Sequence, residues 1–286
     1  MPHLKKNIIV NMPQMAIEAL SENYLFKEIG DCHWEMICKG LNTPSFDLKN
    51  DTGERLYATF VRIRISSANG LKAFKENQNV GIEGKLSRFG ESMFFSEIDF
   101  QSETGKVKGE LMTTFSIRDK VDNTKLSKAE PDVEVNEVPR LDAFPGFGND
   151  YRLVKKGVQK EVGVDDLTFE IGEGEPIFSI RYRLNPFYDI NGVNLLYFAA
   201  YPIINDYCES EYFNKSYDGN WEQDHYTVYK DVFYYANCNL DDSLTYELYS
   251  SEKIDEHTYK NSSILRRNSD NAIIARVFSV KGQSKA

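Results

Sequence analysis

The sequence contains no apolar run long enough to cross a bilayer. Its first residues, MPHLKKNIIVNMPQM, carry two lysines but an apolar run of only three, too short for the core of a secretory signal. A cytoplasmic location is therefore expected. Cysteine is scarce: Cys32, Cys38, Cys208 and Cys238 include no C-x-x-C pair, so neither a zinc site nor a disulfide framework is indicated, and reduced, mostly buried thiols are expected. Histidine is equally scarce, with His3, His33, His225 and His257 the only imidazoles. There is no G-x-S-x-G elbow, Walker loop, H-E-x-x-H or EF-hand loop, so the common hydrolase, nucleotide and metal readings lack support. Positive charge is in deficit. A net charge of -10 gives no general attraction to nucleic acid or to an anionic membrane, and neither is expected as a partner.

What is present is a chain of 286 residues, 41% of them apolar, enough for a large core. Residues 21–41 show helical spacing, with Trp34, Ile37, Cys38 and Leu41 on one face. Asp31 is a candidate N-cap, and Asn42-Thr43-Pro44 ends the segment. Strand-like segments follow at 55–66, 79–89, 92–102 and 107–118, separated by turn residues. The second half repeats the order: a strand at 176–184, an apolar run after Asp189 read as a helix, then strands at 231–240, 242–254, 259–269 and 271–282. Between the halves lies a charged, proline-bearing tract over 119–150. Its GFGND is not a dinucleotide fingerprint, because no strand leads into it and the third glycine is missing. The division predicted is an N-terminal unit at 1–125, a linker at 126–150 and a C-terminal unit at 151–286. One long helix followed by a long-stranded antiparallel meander is the pattern of a hot-dog unit, and two in one chain predict an α+β double hot-dog fold.

Two stretches carry candidate chemistry. GDCHWE, with Gly30, Asp31 and His33, and DINGVN, with Asp189, Asn191, Gly192 and Asn194, each set a glycine and short polar side chains before an apolar helix-like run. Unpaired N–H groups and the helix dipole at such a start favour a developing negative charge. For either stretch taken alone, ordinary helix capping is the commoner explanation. The aromatic wall of Tyr197, Phe198 and Tyr201 after DINGVN adds weight to a site there. Pro202 within that run predicts a bend or a second helix start. Tyr57, early in the first strand after the first helix, would approach the other unit's helix start, whereas core packing is the ordinary fate of a tyrosine. Arg62 and Arg64 alternate along that strand and share a face that would suit a phosphate or open solvent.

GDCHWE at 30–35, LYATFVRIR at 56–64, NPFYDINGVNLLYFAAYPIINDYCE at 185–209 and KDVFYYANC at 230–238 resemble, in order, the acyltransferase/decarboxylase family of the leinamycin polyketide pathway. The resemblance implies a double hot-dog enzyme of secondary metabolism. Such an enzyme decarboxylates a malonyl- or methylmalonyl-type CoA thioester and passes the acyl group to an acyl carrier protein, with no cofactor beyond the CoA substrate. It further implies that Tyr57 is the acyl acceptor. On this reading Asp189 and Asn191 position substrate, His33 orients or protonates it, and Gly30, Asp31, Gly192, Asn194, Arg62 and Arg64 contribute to binding. A strand reading ATFVRIR replaces the family's tyrosine-rich one. The alternatives are a hot-dog thioesterase or dehydratase, the former needing Asp189 to face the pocket, and a non-catalytic carrier-binding module. Docking of an acidic carrier predicts a basic patch from Lys72, Lys75, Lys85 and Arg88. The acyl group, the cognate carrier and the oligomeric state, a homodimer included, stay open.

Overall fold

The computed structural model describes residues 2–283 except Glu91, Asn136 and Asp165. Its frame is one continuous antiparallel sheet. The first unit supplies β1 (His3–Ile9), β2 (Tyr57–Ser66), β3 (Asn79–Phe89), β4 (Met93–Gln101) and β5 (Lys106–Arg118). The second supplies β6 (Phe178–Arg183), β7 (His225–Tyr234), β8 (Ser243–Asp255), β9 (Thr258–Arg267) and β10 (Ile273–Gln283). The spatial order is β1-β3-β4-β5-β2-β7-β10-β9-β8-β6, which is the same five-strand arrangement run outward twice from a central β2–β7 seam. Even the irregularities repeat. The β2–β5 register shifts between Phe60 and Arg62, and the β7–β10 register shifts between Thr227 and Tyr229, close to the start of each seam strand.

Each half-sheet carries a helix, α1 (Glu22–Gly40) on the first and α3 (Ala200–Phe213) on the second. The face of α1 that meets the sheet is Leu25, Phe26, Ile29, Cys32, His33, Met36 and Ile37, a spacing of three and four residues. The tract between the units is not all irregular. Leu126–Lys128 pairs with the end of β5, and α2 (Gly146–Lys155) begins within GFGND and buries Phe147 against the seam. A hairpin of Glu161–Val164 and Leu167–Glu170 packs Val162 and Phe169 on Tyr229 and Phe278.

The long strands match the sequence reading closely, whereas the short strands at Leu126–Lys128, Glu161–Val164 and Leu167–Glu170 were not expected and β7 ends at Tyr234 rather than near residue 240. β1 was not expected, and β7 starts at His225 rather than near residue 231. The helix starts need correction. Ser21, not Asp31, caps α1 by accepting from the Tyr24 amide at 3.4 Å. Gly30, Asp31 and His33 therefore lie inside the helix, where the amides are committed to the i−4 carbonyls. The run after Asp189 forms a tight turn before α3 starts at Ala200. Pro202 falls in the first turn of α3, where a missing N–H leaves no bond unmade, so no bend is needed. Among the described residues no helix is long and apolar enough to cross a membrane.

A buried ion pair fastens the seam. Arg62 and Asp231 are both 0% exposed, and the guanidinium donates to the carboxylate twice, Nε to Oδ1 at 2.9 Å and Nη2 to Oδ2 at 2.6 Å. The third donor, Nη1, meets the Phe147 carbonyl at 2.6 Å, and the guanidinium stacks near the Phe147 and Phe233 rings. Asp231 also accepts from the Tyr229 hydroxyl at 2.9 Å. Breaking one side of such a pair leaves a buried charge. Asp231→Ala is expected to cost about 3–5 kcal/mol by urea unfolding, whereas Arg62→Met with Asp231→Leu recovers most of that loss.

His33 is a second polar island in the core. Its Nδ1 lies 2.6 Å from Ser96 Oγ and its Nε2 2.7 Å from Thr113 Oγ1. Burial pulls its pKa down to about 3 from an ordinary 6.5. Below pH 6.5 the unfolded chain binds a proton that the folded chain refuses, so stability falls as pH drops from 6.5 toward 3. Replacing His33 by Gln is expected to flatten the stability-against-pH curve between about pH 4 and 6 by about 1 kcal/mol per pH unit.

Candidate functional site

At one end of the seam the start of β2, the Asn191 turn and the residues after β7 enclose a cleft of about 370 Å³. Its shape follows from the turn. Asn191 Oδ1 accepts from the amides of Val193 at 3.0 Å and Leu195 at 3.1 Å, Asn194 takes a left-handed conformation at φ 59°, and Ile190 bridges to Leu196. An amide held by a side chain is lost to a helix, which is why α3 starts only at Ala200. Asn237 then clamps the turn to the end of β7: its Oδ1 accepts from the Leu196 amide at 2.8 Å and its Nδ2 donates to the Leu196 carbonyl at 3.1 Å.

Several predicted residues converge on this cleft. Tyr57 and Asn191 line it together, joined by Thr59, Thr114, Ser116, Lys128 and Lys155. Three tyrosines of the wall are committed to structure, since Tyr151, Tyr201 and Tyr234 donate to the carbonyls of Tyr234, Ala236 and Phe198 at 2.7, 2.8 and 2.9 Å. Burial pushes all three phenols above their ordinary range. The half-buried Tyr57 hydroxyl has no hydrogen-bond partner among the described residues, and its ring lies 5.2 Å from the Arg55 guanidinium. No aspartate or glutamate lines the cleft among the described residues.

Other predicted residues lie elsewhere. The Asp189 carboxylate is turned away, accepting from the Asn185 amide at 2.6 Å and the Tyr182 hydroxyl at 3.0 Å. Burial raises its pKa, against the lowering effect of those donors. Gly192 and Asn194 are exposed beyond the rim, and Asp31 is exposed on α1. The turn amides foreseen as an anion site are largely consumed within the turn itself. Arg62 is sealed in the seam, and Arg64 pairs with Glu110 at 3.0 Å, so neither guanidinium meets the cleft. Lys72 and Lys75 precede β3 while Arg88 is near its far end, about 30 Å away at ~3.3 Å per residue, so the four basic residues form no single patch. Lys128, Lys155 and Asn237 were missed. The aromatic run leading into Asn237 was the signal for the last, but nothing local marks the two lysines, which reach the mouth through the short strand on β5 and through α2.

Gly30 acts on the cleft indirectly. A Cβ there would overlap the Phe198 ring, which lies flat on Phe60 with centroids 3.7 Å apart. The glycine thus lets α1 approach this stack, which lines the cleft. Gly30→Ala is expected to destabilise the fold by about 1–3 kcal/mol through overpacking. In a Phe198→Ala background the same change is expected to cost under about 0.5 kcal/mol, a coupling that a double-mutant cycle by urea unfolding measures.

No family model and no curated protein sequence matches the chain. Solved structures do. An acyl-ACP thioesterase from Bacteroides thetaiotaomicron superposes with a TM-score of 0.62 at 8% identity, over 98% of this chain and 98% of that one. A 12:0-ACP thioesterase from Umbellularia californica superposes at 0.65 and 9% identity, over 99% of this chain and 95% of the other. With the two-unit sheet and its two helices, these whole-length likenesses establish the double hot-dog fold.

Proposed function

We propose that the chain is an enzyme that cleaves the thioester of an acyl-CoA or an acyl carrier protein in the Tyr57–Asn191 cleft. The observation that carries this is half-buried Tyr57, whose hydroxyl has no hydrogen-bond partner among the described residues, in a cleft that it lines together with Asn191, Lys128 and Lys155. A phenol donating to the thioester carbonyl stabilises the oxyanion that forms on attack, and a donor of this kind typically contributes 10²–10³-fold in kcat. Lys128 and Lys155 at the mouth suit the phosphates of CoA or of a carrier's pantetheine arm. A cleft of about 370 Å³ suits a short acyl group.

Hydrolysis is the first reading of the acceptor, because the whole-length structural relatives are thioesterases. A second reading, loss of CO2 from a malonyl-type thioester followed by transfer to a carrier thiol, is favoured by the missing carboxylate. Among the described residues the cleft has no aspartate or glutamate to take a proton from water or to repel a malonyl carboxylate. Its hydroxyls would meet the enolate oxygen left when CO2 departs.

One experiment separates the readings. Acetyl-, propionyl-, malonyl-, methylmalonyl- and lauroyl-CoA are incubated with the protein, with and without a holo carrier, and both products are followed by mass spectrometry. CoA release is expected from at least one of them, and Tyr57→Phe is expected to lower kcat/KM by roughly 10²-fold at unchanged Tm. Free acid with an unmodified carrier marks hydrolysis. A carrier gaining a decarboxylated acyl group marks the second reading, and no CoA release from any thioester overturns the assignment.

A further inference from the structure

The seam has two ends, and the second end also opens into a cleft, of about 390 Å³. The first cleft is built from the start of β2, the approach to α3 and the residues after β7. The second is built from the start of β7 at His225–Thr227, the approach to α1 at Ala19–Asn23, and Leu71 beyond the end of β2. Exchanging the two units converts one description into the other, so the clefts are pseudo-twofold counterparts of nearly equal volume. The stacked rings of Trp221 and His225, with centroids 3.6 Å apart, line part of the second cleft, which runs along α3 past Ile203 and Asp206 to Glu209.

Its floor is a charge network. Lys230 reaches Glu22 at 2.6 Å and also pairs with Asp206, while Lys281 meets Asp206 at 3.0 Å and Thr227 at 2.8 Å. These two cations and two carboxylates satisfy one another. Glu209 does not fit this pattern: it is 1% exposed, its Oε2 accepts from Ser279 Oγ at 3.2 Å, and its Oε1 has no partner. Burial raises its pKa, with Lys281 opposing. An unpartnered polar atom in the interior is costly, and one belonging to a residue that lines a cavity is most simply completed by a group entering that cavity.

We propose that this second cleft is a further acyl-thioester site, with the acyl group against Leu20, Leu71 and Ile203 and a polar group of the ligand completing Glu209. The inference rests on the thioester reading of the first cleft, because the two sites share one construction. It predicts a stoichiometry. In calorimetry with the hydrolysis-resistant ketone S-(2-oxobutyl)-CoA, the intact chain is expected to bind two molecules. Ile203→Trp, which fills the second cleft, and Ala58→Trp, which fills the first, are each expected to leave one. Glu209→Leu is expected to weaken only the second site, by at least tenfold, and thermal unfolding confirms that each variant is folded. One molecule bound by the wild type and abolished by Ala58→Trp overturns the second site while leaving the first reading intact. Two molecules bound by folded Ile203→Trp protein overturn its location, and none bound by the wild type removes both readings.

Discussion

The Arg62–Asp231 pair at the β2–β7 seam is the constraint on which the rest of the molecule depends. Two complete half-sheets meet along a short stretch in which Arg62–Ser66 pairs with Phe233–Tyr229. A slip of one residue along such a seam turns every side chain to the opposite face. Here a slip would also strand two charges that no water reaches. A buried pair contributes little net stability over a well-packed apolar one, but it makes wrong registers expensive. The crossover between the units is drawn into the same device, because its Phe147 supplies both a carbonyl and a ring to Arg62. Both clefts lie at the ends of this seam, so their geometry is set by its register.

The two ends of the seam differ in their side chains. One is walled in part by Tyr151, Tyr201 and Tyr234, whose hydroxyls are fixed to main-chain carbonyls, with the Phe60–Phe198 stack closing the approach to α1. The other rests on Glu22, Asp206, Lys230 and Lys281, which tie the first turn of α1 to α3, β7 and β10. The same backbone frame therefore presents hydroxyl and amide donors at one end and carboxyl groups at the other. A duplicated fold allows this, because each unit needs its partner for packing while each end varies its side chains independently.

Much of the fold was legible in the sequence because long antiparallel strands alternate and end at glycine and asparagine turns. What failed was reading helix starts from local chemistry. Gly30 and Asp31 look like a helix start, yet Gly30 is required by the approach of Phe198, which lies 168 residues later in the chain. His33 reads as a candidate catalytic group, whereas in the fold it lies on the buried face of α1 with Ile29, Met36 and Ile37. DINGVN borders the Tyr57 cleft through Asn191, whose Asx-type bonds shape the turn, rather than by offering free amides. Arg62 and Arg64 looked like a solvated face because the partner of Arg62 lies 169 residues away and leaves no trace in its own strand. Asp189 shows the same limit: its type suits catalysis, and only the fold reveals that Tyr182 and Asn185 hold it elsewhere.

The thioester site proposed for this chain is the cleft at the Tyr57 end of the seam. A crystal structure of the intact chain with a bound ketone analogue of an acyl-CoA tests it most directly. The analogue's carbonyl is expected within hydrogen-bond reach of the Tyr57 hydroxyl, its acyl group toward Phe60 and Phe198, and its phosphates near Lys128 and Lys155. An analogue bound with its acyl group outside this cleft while the cleft stays closed would contradict it.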